Sequence, residues 1–237
     1  YDFESWDRVG SGSSAYENPR GGWTSSNVGM AVSKEITGRP SEFPVVTKTT
    51  DAHSGSYAAE IKTVELGGIS GISIAAGALF LGTFDGSVVM NNPLAAPRFG
   101  IPWSGARPVL LKGWYKYKPG KKLVNKKGNT VDGTDELSVW AVLYSGAQMN
   151  AREIDEPQNE GRIIAKAVLT PSVPRGDYTE FSVPFVYKRD PKPGEKLQFS
   201  IILSSSARGG KIVNGEAEYI GAVGSVLTVD DLEITLR

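Results

Sequence analysis

Apolar and polar residues alternate with a period of two along most of this chain. In the closing run Val229 to Arg237, the apolar Leu232, Ile234 and Leu236 alternate with Glu233, Thr235 and Arg237. That is the pattern of a strand with one buried face. Lys196 to Ser204 sets Leu197, Phe199, Ile201 and Leu203 against Gln198, Ser200, Ile202 and Ser204. Leu110 to Lys118 places Leu111, Gly113, Tyr115 and Tyr117 on one face and Lys112, Trp114, Lys116 and Lys118 on the other. Glu136 to Tyr144 opposes Leu137, Val139, Ala141 and Leu143 to Ser138, Trp140, Val142 and Tyr144. Ser56 to Thr63 and Tyr178 to Tyr187 read as further strands. The opening Asp2 to Trp6 reads as a first strand, expected beside the last. Helical pattern is scarce, with short turns expected near Asn150 to Arg152 and Glu216 to Glu218. Strand runs bounded by turn clusters predict an all-β fold: one antiparallel β-sandwich over residues 1–237.

Three segments do not read as strands: Gly10 to Gly29, Phe84 to Arg107 and Gln148 to Gly161. Long loops on a rigid β scaffold are where binding surfaces are usually built. Composition narrows the chemistry. The 26 basic and 26 acidic side chains cancel, which argues against a nucleic-acid binder. The absence of Cys excludes disulfides, thiol nucleophiles and Cys-ligated zinc. No apolar run reaches the roughly 18 residues of a membrane span. The first residue is Tyr1, so the segment is expected to be the C-terminal part of a longer protein whose targeting signal lies upstream.

Certain phrases carry a resemblance: Trp23-Thr24-Ser25-Ser26-Asn27, Asp51-Ala52-His53-Ser54-Gly55-Ser56-Tyr57-Ala58-Ala59, Leu111-Lys112-Gly113-Trp114-Tyr115-Lys116-Tyr117, Tyr178-Thr179-Glu180-Phe181 and Val229-Asp230-Asp231-Leu232-Glu233-Ile234. With Glu4 in the opening strand, their order resembles jelly-roll carbohydrate-binding modules, and more specifically the putative carbohydrate metabolism domain family of Bacteroidetes. The resemblance covers nearly the whole chain. It implies an antiparallel β-sandwich with jelly-roll topology on a secreted, periplasmic or outer-membrane cell-surface protein, such as a lipoprotein, linked to polysaccharide use. It brings no ligand or activity of its own.

Sugars present apolar C–H faces ringed by hydroxyls. Proteins grip them with aromatic rings against the face and planar polar groups on the hydroxyls. If the strands holding Trp114 and Trp140 are neighbours, Trp114, Trp140 and Tyr144 line one sheet face; otherwise these rings form a second core beneath the loops. Trp103, in a Pro/Gly-rich loop, is either a rim aromatic or a plug for the sandwich end. Arg107, Asn91 and Asn92 are the polar candidates for orienting a saccharide.

A calcium site is a second constellation. Glu4, Asp51 and Asp230 are hard oxygen donors, and related jelly-roll modules carry structural Ca²⁺ between an N-terminal acid, a Gly/Ser loop and a C-terminal Asp. The alternative is that these carboxylates accept hydrogen bonds from loop backbone and neighbouring cations. Catalysis has little footing. His53 is the only His, and no Gly-x-Ser-x-Gly, His-Glu-x-x-His or phosphate loop occurs. Glycoside hydrolysis needs two convergent carboxylates. The densest acidic stretch, Glu153, Asp155 and Glu156, reads as a solvated loop. The lysines from Lys112 to Lys127 read as a charged hairpin with a flexible tip, or else as an attractor for anionic polysaccharide. The expected function is a noncatalytic module that binds a poly- or oligosaccharide and requires no cofactor. A structural module with partner proteins at the cell surface is the alternative, and a glycoside hydrolase ranks third.

Overall fold

The chain crosses repeatedly between two antiparallel sheets, and the sheet each strand joins decides which side chains can meet. The computed structural model describes residues 1–40, 42–68, 71–170 and 173–237. One sheet has five strands, in the order Arg175–Pro184, Pro108–Lys118, Val226–Leu236, Ala58–Lys62 and Val46–Thr49. The larger sheet runs Met149–Asn150, Pro97–Phe99, Ala78–Phe84, Leu197–Ser204, Ser138–Ser145, Ile163–Val168 and Val186–Tyr187. Ile101–Trp103 lies beside Leu197–Ser204, and Trp23–Ser25 beside Ala78–Phe84. The result is an all-β antiparallel sandwich with jelly-roll crossings.

The apolar face of each strand meets the other sheet. Leu111, Tyr115 and Tyr117 pack with Val139, Ala141, Leu143, Phe199, Ile201, Leu203, Leu227 and Val229 in one core. The chain ends meet as the sequence suggested: the Tyr1 amino group donates to the Leu232 carbonyl at 2.6 Å, and the Leu232 amide returns a bond to Tyr1 at 2.9 Å. The opening strand itself begins later than expected. Trp6–Val9 pairs with Tyr16–Pro19, away from the last strand. Residues 2–5 stay irregular, with Phe3 at φ 53° turning into the core.

Three further differences have physical causes. Asn27–Thr37 is an α-helix whose buried residues are Asn27, Gly29, Ala31 and Ser33. Small and polar groups line its inner side, so no helical apolar stripe marks it. Asn27 ties it to the sandwich: its Nδ2 donates to the Val46 carbonyl, and its Oδ1 accepts from Val45 and Val46. The run Tyr178 to Tyr187 divides at Phe185, where the chain leaves one sheet for the other. Finally, the lysine-rich hairpin is anchored. Leu123–Val124 pairs with Gly221–Ala222, and Leu123 packs on Ile220 and Ala222.

Candidate functional site

With Leu111, Gly113, Tyr115 and Tyr117 in the core, Lys112, Trp114 and Lys116 stand on the outer face of the five-stranded sheet, partly exposed. Trp114 pairs with Asp230 on one side and Glu180 on the other. Between Lys112 and Trp114 the register with the last strand shifts, leaving Asp231 and Leu232 opposite the single Gly113. The site of Gly113 has no room for more, because a Cβ there would lie 2.5 Å from Leu232 Cδ2. Asp231 takes φ 50°, a left-handed conformation that Asp tolerates better than most residues.

This bulge organises the loop at 51–57. The Asp230 carboxylate is buried, and its Oδ2 accepts the His53 and Ser54 amides at 2.9 and 3.2 Å, while Oδ1 accepts the Asp231 amide at 2.8 Å. Asp231 receives the Ser54 hydroxyl on Oδ1, and its Oδ2 lies 2.7 Å from His53 Nδ1. The imidazole therefore lies flat on Trp114, centroids 3.9 Å apart and planes 12° apart. Tyr178 meets His53 edge-on at 5.6 Å, and its hydroxyl donates to the Asp51 carbonyl at 2.6 Å. Lys116 sits 4.5 Å from the centre of the Tyr178 ring and pairs with the Asp51 carboxylate. Burial, with Asp230, Asp51 and Asp231 close by, pushes the Tyr178 phenol well above its ordinary range. A ring cluster bordered by charges of both signs is thus displayed on one sheet face. The sequence showed Trp114 facing outward but not its partners: His53 arrives from the loop at 51–57, and Tyr178 and Asp231 from the two strands on either side.

The expected joint platform is not assembled. Strands Pro108–Lys118 and Ser138–Ser145 belong to different sheets, so Trp114 and Trp140 stand on opposite outer faces of the sandwich. Tyr144 is fully buried among Phe80, Phe99, Val142, Met149, Ile154, Ile163 and Ile202, a second core covered by the loop after Ser145. Its hydroxyl donates to the Phe99 carbonyl and accepts the Met149 amide at 3.1 Å. Burial pushes its pKa up to about 12. Tyr144→Phe removes the buried hydroxyl that serves both the Phe99 carbonyl and the Met149 amide and is expected to cost about 2 kcal/mol of stability, read from urea unfolding. Trp140, half-buried, packs on the edge of this core.

Trp103 is also half-buried, its ring 4.7 Å from Phe199 against the main core. Arg107 is exposed, lies 3.5 Å over the Tyr187 ring and pairs with Asp190. Asn91 and Asn92 are exposed in a turn closed by their amides on the Val88 carbonyl.

Glu4, Asp51 and Asp230 have separate roles. Glu4 Oε1 accepts the Ser56 and Tyr57 amides at 2.8 and 3.0 Å. Gly55, at φ 65°, is required there because a Cβ would lie 2.3 Å from that oxygen. Asp51 is paired with Lys116 and Asp230 with loop amides. Among the described residues no three His, Cys, Asp or Glu side chains come together as a metal-holding group. In this arrangement the three carboxylates hold loop amides and an ammonium.

The class defined by this geometry is a β-sandwich module with a ring-and-charge cluster on one outer sheet face. The chain belongs to the putative carbohydrate metabolism domain family, whose model matches residues 2–235. It is similar to a solved "putative glycoside hydrolase" from Bacteroides thetaiotaomicron, at 27% identity and a TM-score of 0.82, covering 100% of this chain and 70% of that one. A second, from Bacteroides vulgatus, shows 26% identity and a TM-score of 0.84, covering 100% of this chain and 97% of that one. No curated protein matches the sequence. No helix among the described residues is long and apolar enough to cross a membrane.

Proposed function

We propose that the chain is a noncatalytic glycan-binding module of a secreted or cell-surface protein, and that the saccharide rests on the Trp114–His53–Tyr178 patch. The observation that carries this reading is the stacked, partly exposed ring pair bordered by Asp231, Lys116 and Asp51. A sugar's C–H face packs against the rings, and its hydroxyls bond the carboxylate and ammonium groups at the border. Family membership supports a saccharide ligand.

The test is a glycan array with and without calcium, with released sugar monitored, followed by calorimetry on the best oligosaccharide. Trp114→Ala is expected to weaken binding at least tenfold, about 1.4 kcal/mol. Unchanged affinity in a folded Trp114→Ala protein would remove the patch from the mechanism. An array that stays silent for the folded wild type would move the reading to a structural or partner-binding surface. Sugar release would make it an enzyme.

A further inference from the structure

On the opposite outer face, the loop that covers Tyr144 does not close completely. Ile154, Asp155, Glu156, Pro157, Glu160, Ile163, Lys166 and Lys188 line a cleft of about 240 Å³. We infer that this cleft is a second saccharide site that takes one neutral sugar ring, with Asp155 accepting from and Lys166 donating to its hydroxyls.

Three observations support it. First, Asp155, which is exposed, and Lys166, which is partly buried, both line the cleft and influence each other electrostatically without joining in an ion pair, and among the described residues neither side chain has a hydrogen bond. Crowding by protein pushes the Asp155 carboxyl up and the Lys166 amine down. An acid and an amine that face one gap and leave it unbridged suit a group that donates and accepts at once, as a hydroxyl does. Second, the charge is balanced. Asp155, Glu156 and Glu160 oppose Lys166 and Lys188, with Lys211 acting on Asp155 from outside the lining. Glu160 and Lys188 neutralise each other at 2.7 Å. An anion would meet the carboxylates and a cation the lysines, so a neutral polyol is the ligand that neither repels. Third, the exposed Pro157 supplies apolar contact for ring C–H groups above the buried Ile154 and Ile163, and the Lys166 ammonium lies 5.2 Å from the centre of the Trp140 indole. The volume is below the roughly 300–1,000 Å³ of drug-sized sites, which selects a single ring over a chain.

This inference does not depend on the Trp114 patch. The experiment is ¹H–¹⁵N correlation NMR of the full chain, titrated with D-glucose, D-galactose, D-mannose and D-xylose, with glycerol as a control. At least one sugar is expected to give saturable shifts at residues 154–166 and at the Trp140 indole N–H. Lys166→Met is expected to weaken that binding about fivefold or more. Asp155→Asn, at a more open position, gives the same reading should Lys166→Met unfold. No saturable shift in the cleft, equal shifts with glycerol, or unchanged affinity in a folded variant would overturn the proposal. Shifts confined to Trp114 would overturn it too, while leaving the other site standing.

Discussion

Asp230→Ala is expected to lower the unfolding free energy by about 3–5 kcal/mol, because the loop at 51–57 is held to the last strand by that carboxylate. Three amides, from His53, Ser54 and Asp231, lose their acceptor at a position with no solvent access. Some of the loss is recovered if the loop opens to water. Asp230→Asn keeps one carbonyl oxygen and is expected to cost about half as much. Asp230→Ala also loosens the His53 backbone that holds the imidazole over Trp114, so glycan binding at the patch should weaken with stability.

The pH dependence separates the carboxylate's charge from its hydrogen bonds. Burial pushes the Asp230 carboxyl up, more than the Ser54, Asp231 and His53 amides pull it down. Between the ordinary Asp value of about 3.9 and the raised folded value, the native state holds more protons than the unfolded one. The group's contribution is therefore most favourable below the unfolded pKa and declines as pH rises through the folded pKa. Urea unfolding across the acid range should show the wild-type advantage over Asp230→Asn shrinking as pH rises. An advantage that stays constant would mean that Asp230 has no raised pKa.

Period-two alternation made the strands legible because a strand between core and solvent must alternate. It identified Leu111, Tyr115, Val139, Leu143, Phe199 and Leu203 as core and set Trp114 outside. It carried no information on which strands share a sheet, since alternation looks the same in either. Trp114 and Trp140 therefore seemed able to meet. The helix at Asn27–Thr37 was hidden because its inner side is built from Asn27, Gly29, Ala31 and Ser33. His53 is 61 positions from Trp114 in sequence, and only the bulge at Asp231 brings them together. A Gly in a strand, Gly113, was the one local sign of that bulge.

Asp135 gave no signal in the sequence, yet Asp135→Ala is expected to be as damaging, again about 3–5 kcal/mol. Its buried carboxylate joins the chain segments at one end of the sandwich. Oδ2 accepts the Ser206 hydroxyl at 2.5 Å, the Ser225 hydroxyl at 2.6 Å and the Ala222 amide at 2.7 Å, while Oδ1 accepts the Glu136 amide at 2.9 Å. Thr63 extends the network through Ser205 and Ser206, and the Tyr117 hydroxyl closes it on the Ser205 carbonyl at 3.0 Å. A buried polar network stabilises only when its members are satisfied, and removing the central acceptor leaves several donors orphaned together. Asp135→Asn can present one oxygen to the three donors now on Oδ2, but it turns an amide toward the Glu136 N–H. It should lie between wild type and Ala. Urea unfolding of the two variants measures this order. An Asp135→Ala loss below about 1 kcal/mol would show that water replaces the carboxylate without penalty, and that the end of the sandwich is held by its apolar contacts alone.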